Sequence, residues 1–479
     1  MSYRTRVSSL FKPLRRFSSE ESGMTLPIIA VSFFMMAGFV GTAVDIARIQ
    51  LVQSKLSYSL DAAGLAAGAT LNAADYNTEV TKYINVNYPA GYLGSSAADV
   101  GITLSDNNNT LNMTANTTVP TTFMNILGVS QVTVTASSQI KRTTSGLELA
   151  LVLDNTGSMA GTKLNSLKTA ANTLVGILFG GRSTTNNLWI GLVPFSQAVN
   201  IGTSHSSWMD SAYFSTLNWG PTSWMGCVDA HEVDDRDIAD DPPSVATFRA
   251  YYSPSTDNRP YPNNNYSQLN ANKWVTQRDT EGNPTQYSIN GTSRGPNKSC
   301  PQQVQLMTAD QSTITNAINS MQAVGNTHIP LGLSWGWRMI SPRWRGLWGG
   351  EMDANALPLD YNTPHMNKAI VLLTDGANTM DNTNYTAYGY LSDGRLGTTY
   401  SSQAVNNLNS KLTSLCTSLK SNNVYIYTIA LGNPGTSIQT LLRNCATSPL
   451  YYFNSPSESD LQTIFGAIAD SLSNLRISQ

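Results

Sequence analysis

The chain has 479 residues, a formal net charge of −2 and only 13% charged residues. That length calls for two or three domains, and the sparse, balanced charge excludes a polybasic nucleic-acid surface. Ser, Thr, Asn and Tyr fill much of the place of the roughly 25% charged residues in an average soluble domain, a balance compatible with a secreted or surface protein.

Residues 1–21 carry five basic side chains, Arg4, Arg6, Lys12, Arg15 and Arg16, and residues 22–44 carry no charge. The apolar run from Met24 to Val44 has 21 residues, which at about 1.5 Å per residue crosses a hydrocarbon core of roughly 30 Å. The positive-inside rule places the N-terminus in the cytoplasm and residues 45 onward outside. The run exceeds the roughly 7–15 residues of a signal-peptide core, so a single uncleaved membrane anchor is expected. Gly23-Met24-Thr25-Leu26 resembles a type IV prepilin cut site, but Ile28 stands where those leaders carry Glu. Processing of the N-terminus is left open.

Residues 45–143 read as a helix continuing to about Tyr88, followed by a small strand-forming region. Ile102 and Leu104 alternate with polar residues, as do Leu111, Met113 and Ala115. Asp106-Asn107-Asn108-Asn109 is a turn signal between them. A short helix is expected over Thr121–Leu127 and a third strand over Val132–Ala136. Both a pilin-like module and a plain spacer fit this outline.

From Leu147 strands and helices alternate, which predicts an α/β fold with a doubly wound, mostly parallel sheet over 146–479. The strands are Leu149–Leu153, Trp189–Phe195, Ala369–Leu373 and Val424–Ala430. Apolar stripes mark helices through Leu164–Leu174, Ile314–Met321, Val405–Leu419 and Leu461–Leu475. Insertions interrupt the alternation at about 203–303 and 381–403. The larger holds six Tyr and four Trp, suited either to a recognition surface or to packing a small subdomain. Its acidic run, Asp229, Glu232, Asp234, Asp235, Asp237, Asp240 and Asp241, lacks EF-hand spacing and reads as a solvated loop, with Ca²⁺ binding as the alternative.

Cys227, Cys300, Cys416 and Cys445 all follow the apolar run. No CxxC pair or His cluster accompanies them, which speaks against zinc. An even count outside the cytoplasm points to disulfides. Three pairings are open. Cys227–Cys300, stapling the insertion, together with Cys416–Cys445, joining two C-terminal helices, is preferred. The histidines are scattered and give no support for a Ser/His/Asp triad, so no enzyme activity and no small-molecule substrate are expected.

Three loops carry the chemistry. Asp154-Asn155-Thr156-Gly157-Ser158 follows one strand, Thr374-Asp375-Gly376 follows another, and Thr327 opens a helix. Carboxylate and hydroxyl oxygens at strand ends are what a hard divalent cation selects, at the edge where open α/β sheets bind ligands. The trio resembles the metal-ion-dependent adhesion site of von Willebrand factor type A domains. The resemblance implies that Thr156 and Ser158 coordinate by hydroxyl, and that Thr327 joins directly or through water. Asp154 and Asp375 would bind directly or hold coordinated waters. Mg²⁺ is the first choice, with Mn²⁺ and Ca²⁺ as alternatives, and one coordinated water could yield to a partner's acidic side chain. The first loop also resembles the Asp-Lys-Thr-Gly-Thr phosphorylation loop of cation-pumping ATPases. Asn155 in place of Lys, and the lack of a second acid after Asp375, count against an Asp-phosphorylated phosphotransferase.

Leu60-Asp61-Ala62-Ala63-Gly64-Leu65-Ala66-Ala67 resembles a TadE/TadG-like segment. Gly226-Cys227-Val228, Cys300-Pro301, Thr327–Gly332, Leu442-Arg443-Asn444-Cys445-Ala446 and Ser473-Asn474-Leu475-Arg476 resemble the TadG group. That resemblance implies a role in bacterial Flp (tight-adherence) pilus assembly, as a single-pass inner-membrane protein with most of the chain in the periplasm. Its partner would be a pilus or cell-envelope protein. A purely structural scaffold or pseudopilin-like component, with a stabilising metal, is the alternative.

Overall fold

The computed structural model describes residues 25–68, 76–105, 110–141, 145–231, 233–258 and 272–477. The basic segment, the start of the prepilin-like cut site, the turn at 106–109 and Glu232 lie outside them. Contacts divide the chain into two units, residues 1–142 and 143–479.

In the first unit, α1 (Thr25–Gly68) and α2 (Tyr76–Asn87) accompany an antiparallel sheet of β1 (Asp99–Ser105), β2 (Thr110–Pro120) and β3 (Gln131–Lys141). α1 has 44 residues, about 66 Å of helix, roughly twice a bilayer core. It changes character along its length. The segment from Leu26 to Val44 exposes its large apolar side chains, whereas Val52, Leu56, Leu60, Ala63 and Ala67 are fully buried at spacings of three and four. These pack on Leu111, Met113 and Ala115 of β2 and on Val134 and Ala136 of β3. The C-terminal half of α1 therefore lies on the sheet and shares a core with it. Among the described residues α1 is the one helix long and apolar enough to cross a membrane. The helix expected at 121–127 is a single 3₁₀ turn, Met124–Leu127.

The second unit is mixed α/β. Its six-stranded sheet is built from β4 (Gly146–Asp154), β5 (Leu188–Phe195), β6 (Gln305–Thr308), β7 (Met366–Thr374), β8 (Tyr425–Leu431) and β9 (Tyr452–Ser455), in the order β6-β5-β4-β7-β8-β9. Neighbours pair in parallel except β6, an antiparallel edge. Every residue of β4 is buried, as expected of a strand covered on both faces. Its side chains alternate between two cores. Ala150 and Val152 face one with α5 (Ile329–Ile340), α6 (Ser401–Ser421) and α7 (Thr436–Cys445). Leu149, Leu151 and Leu153 face the other with α3 (Thr162–Phe179), α4 (Gln311–Asn319) and α8 (Asp460–Ile477).

The insertion's aromatic residues correct an expectation. Trp208, Trp224 and Phe248 are buried in the main core with Trp335, Trp344 and Trp348. They extend the domain's own core over α5, whereas Trp274 stacks on Tyr287 and Tyr251 packs with Cys227, Cys300, Tyr385 and Tyr390 in a cluster apart from that core, as packing within the insertion predicts. The acidic run is corrected too. Buried Asp229 accepts from the Tyr385 hydroxyl at 3.0 Å and from Arg395 at 3.1 Å. Buried Asp237 accepts from the Tyr388 hydroxyl at 2.6 Å and from Lys411 at 2.9 Å. Buried Asp240 pairs with Arg343 at 2.8 Å. These carboxylates clamp the insertion to the domain, since buried charges persist only when paired.

Both preferred disulfides are present: Cys227–Cys300 across 73 residues and Cys416–Cys445 across 29. Loop-closure entropy assigns the longer one about 4 kcal/mol. The Cys227→Ala/Cys300→Ala protein is therefore expected to lose about that much in reversible denaturant unfolding. A loss below about 1 kcal/mol would show that the buried ion pairs already hold the insertion.

Candidate metal centre

The strand order reverses at β4. Its successor in sequence, β5, lies on one side, and β7 lies on the other. At such a switch point the loops leaving the two strands part and open a crevice. Leu153 of β4 stands level with Leu373 of β7, so Asp154 and the Thr374–Asp375 turn reach this crevice side by side. A third loop joins them. Asn155 accepts from the Val324 N–H at 2.8 Å, and the Gly157 N–H donates to Gly325 at 2.9 Å. This ladder ties the segment before α5 to the β4 loop and brings in Thr327, whose Oγ1 lies 3.9 Å from where a Cβ on Gly376 would stand.

Asp154, Thr156, Ser158 and Asp375 are thus joined in one hydrogen-bonded cluster, and Thr327 stands beside Gly376 at its edge. Asp154 is fully buried. Its Oδ1 accepts from the Thr156 N–H at 2.9 Å and its Oδ2 from the Thr374 hydroxyl at 2.6 Å. The Thr156 and Ser158 hydroxyls lie 3.0 Å apart, and Ser158 donates to Asp375 Oδ1 at 2.6 Å. The other Asp375 oxygen pairs with Lys163 Nζ at 2.6 Å. Thr156, Thr327 and Asp375 are buried, and Ser158 is exposed, so the cluster opens to solvent on the Ser158 side.

Burial, then the nearby Asp375 charge, push the Asp154 carboxyl up to about 6, against the pull of its hydrogen bonds from Thr156 and Thr374. A buried carboxyl beside a second negative charge costs more to ionise, and a bound cation would relieve that cost at Asp154. The donors are all oxygen, two carboxylates and three hydroxyls, which fits a hard divalent ion. Hydroxyls carry much of the set. Among the described residues no group of three or more His, Cys, Asp or Glu could hold a metal.

Thr374, from the second motif, and Lys163, which carries no sequence signal of its own, hold the two carboxylates. Asn378 Oδ1 accepts from the Ile329 N–H at 2.8 Å and the Thr379 hydroxyl accepts from the Thr327 N–H at 3.2 Å, fixing the start of α5. Buried His328 Nε2 lies 2.9 Å from the Thr379 carbonyl, and burial holds its pKa down to about 4. The ring is therefore neutral at neutral pH, with Nε2–H as the donor.

Residues 23–70 match the family model for Flp pilus-assembly TadE/G-like segments. No curated protein matches the chain. Solved structures with similarity include proximal thread matrix protein 1 from the mussel byssus, at 13% identity and TM-score 0.32, covering 70% of this chain and 48% of that one. The match thus spans about half the mussel protein. The von Willebrand factor domain of the type V pili tip protein Mfa5 from Porphyromonas gingivalis aligns at 11% identity and TM-score 0.35, covering 70% of this chain and 97% of that one. The open conformation of the pilus adhesin SpaC from Lactobacillus rhamnosus GG aligns at 12% identity and TM-score 0.35, covering 79% and 34%. The N-terminal segment of the chain is thus TadE/G-like, of the kind found in Flp pilus assembly.

Proposed function

We propose that the chain is a membrane-anchored component of bacterial Tad/Flp pilus assembly. Its second unit is read as a doubly wound von Willebrand factor A-type domain that binds one divalent cation and engages an acidic side chain of a partner protein. The observation that carries this is the meeting of three loops, far apart in sequence, on one oxygen-lined point beside exposed Ser158. Asp154, Thr156, Ser158, Thr327 and Asp375 would hold the ion. Mg²⁺ suits the set best because it keeps several waters and needs few protein ligands; Mn²⁺ and Ca²⁺ belong to the same class. The TadE/G-like match over residues 23–70 supports the pilus context. α1 supports a single-pass anchor, with the N-terminus in the cytoplasm and the second unit in the periplasm, facing pilus or envelope proteins. The reading is non-catalytic: Asp154 is buried with both carboxylate oxygens hydrogen-bonded, a poor posture for a phosphate acceptor.

Crosslinking of the full chain in isolated envelopes, in Mg²⁺ and in EDTA, tests this reading. Adducts that form in Mg²⁺ and vanish in EDTA are expected; identical adducts in both would contradict it. One observation favours a scaffold reading instead: Lys163 already neutralises Asp375, so the site can stand without a cation. The two cations compete for that carboxylate. Lys163→Ala is therefore expected to tighten Mg²⁺ several-fold in calorimetric titration. It should also cost about 1–3 kcal/mol of cation-free stability, because the buried Asp375 carboxylate loses its countercharge and keeps only the Ser158 hydroxyl. Unchanged affinity would show that Lys163 and the cation do not share Asp375.

A further inference from the structure

The first unit carries a second apolar surface beside α1. The β2–β3 connection, residues 121–130, has no charged residue and exposes Ile126 at 82%, Leu127 at 73%, and Phe123 and Val129 at 40% each. It is pinned to one place on α1. Buried Asp45 accepts from the backbone N–H groups of Thr122 at 3.1 Å, Phe123 at 2.7 Å and Met124 at 2.9 Å. The Phe123 ring fills the space where a Cβ on Gly41 would stand. Arg48, one turn further along, donates to the Leu93 carbonyl at 2.7 Å.

Gly41 and Asp45 bracket the end of the uncharged run at Val44. A side chain resting on Gly41 is therefore level with residues that expose Phe39 at 77% and Val40 at 61%. The opposite end of the sheet lies far off. Met113 and Ile140 pack where a Cβ on Gly64 would stand, about 35 Å further along the helix axis. Among the described residues of the unit, it is the β2–β3 end that rests on the apolar part of α1, and that end carries the exposed Ile, Leu, Phe and Val. Exposed apolar patches of this kind mark partner or membrane contacts. Continuity with the apolar surface of α1 makes lipid the occupant.

We propose that residues 123–129 form a second membrane contact, a loop that enters the acyl-chain region of the leaflet from which α1 emerges. Asp45 is the positioning residue that holds the loop at that depth. The loop and α1 together fix how the small sheet stands on the bilayer, which a single helix free to rotate and tilt would not do. The inference rests on reading α1 as a membrane span.

Every described cysteine is in a disulfide, so one introduced thiol accepts one spin label. The full chain in phospholipid nanodiscs would be labelled at Ile126→Cys, at Phe34→Cys within the anchor, and at Ser105→Cys at the opposite end of the sheet. Collision rates with oxygen and with a water-soluble nickel chelate then report depth. Expected is an oxygen-to-nickel ratio at 126 several-fold above that at 105 and approaching that at 34. A ratio at 126 equal to that at 105, with 34 still shielded, would overturn the loop proposal, leave the anchor standing and assign the patch to a protein partner. All three positions open to nickel would overturn both. Leu127→Cys provides the same readout if Ile126→Cys fails to fold.

Discussion

In the Asp154→Asn protein, Mg²⁺ is expected to bind at least about 100-fold more weakly than in the wild type, because the change removes half of the site's formal charge and the group that shapes its first loop. The fold should survive. An amide can still accept from the Thr156 N–H and donate to the Thr374 hydroxyl, the two contacts Asp154 makes. The sign of the accompanying stability change follows from protonation. Asp154 titrates near 3.8 when unfolded and near 6 in the cation-free fold. The folded protein thus keeps this proton to higher pH, and cation-free stability falls as pH rises from about 4 to 6, by about 3 kcal/mol. Asparagine carries no such penalty. Above pH 6 the cation-free variant should therefore be at least as stable as the wild type, and Mg²⁺ should no longer raise its melting temperature. In the wild type the Mg²⁺-induced rise should be largest above pH 6 and fade towards pH 4. A wild type whose melting temperature ignores Mg²⁺ at pH 7.5 would remove the cation from the account.

The second large effect is expected at Gly332 and Gly336, one turn apart on α5. A Cβ on Gly332 would fall on the Phe195 ring of β5, and one on Gly336 on the Val152 side chain of β4. These glycines let the helix lie close to the sheet. α5 begins two residues after Thr327, so its seating also sets where that hydroxyl stands. The Gly332→Ala/Gly336→Ala protein gains up to about 2 kcal/mol of helix propensity and loses about 1–3 kcal/mol per site to overpacking. With the full propensity gain the net loss is up to about 4 kcal/mol, read as a melting temperature lower by up to about 8 °C, with weaker Mg²⁺ binding. Unchanged melting and unchanged affinity would show that α5 can shift without moving Thr327.

Much of the second unit was legible because its strands are covered on both faces. Leu149–Leu153 and Ala369–Leu373 are unbroken apolar runs, and the loops after them carry the only Asp-Asn-Thr-Gly-Ser and Thr-Asp-Gly combinations in the chain. The helices of Leu164, Leu408 and Leu461 were legible from their 3.6-residue stripes. Contacts made across long sequence separations were not. Lys163 meets Asp375 from 212 residues away, and nothing in its local pattern separates it from an exposed helical lysine. Asp229 and Asp237 read as a solvated acidic run because Arg395 and Lys411 lie 166 and 174 residues further on. The insertion's tryptophans were equally ambiguous, since burial in the main core or in a core of their own calls for the same residues. In the first unit the strands were visible in their alternation. The role of Asp45 was not, because its partners are backbone N–H groups, which any sequence supplies.

Whether one hard cation sits among the three loops is tested most directly by anomalous diffraction from a crystal of the protein soaked in Mn²⁺. Expected is a single strong peak with the Thr156 and Ser158 hydroxyls within about 2.6 Å, the outer limit for such oxygen contacts, and with Asp154, Thr327 and Asp375 around it, directly or through water. No peak at Ser158 in saturating Mn²⁺, with Lys163 still paired to Asp375, would contradict it.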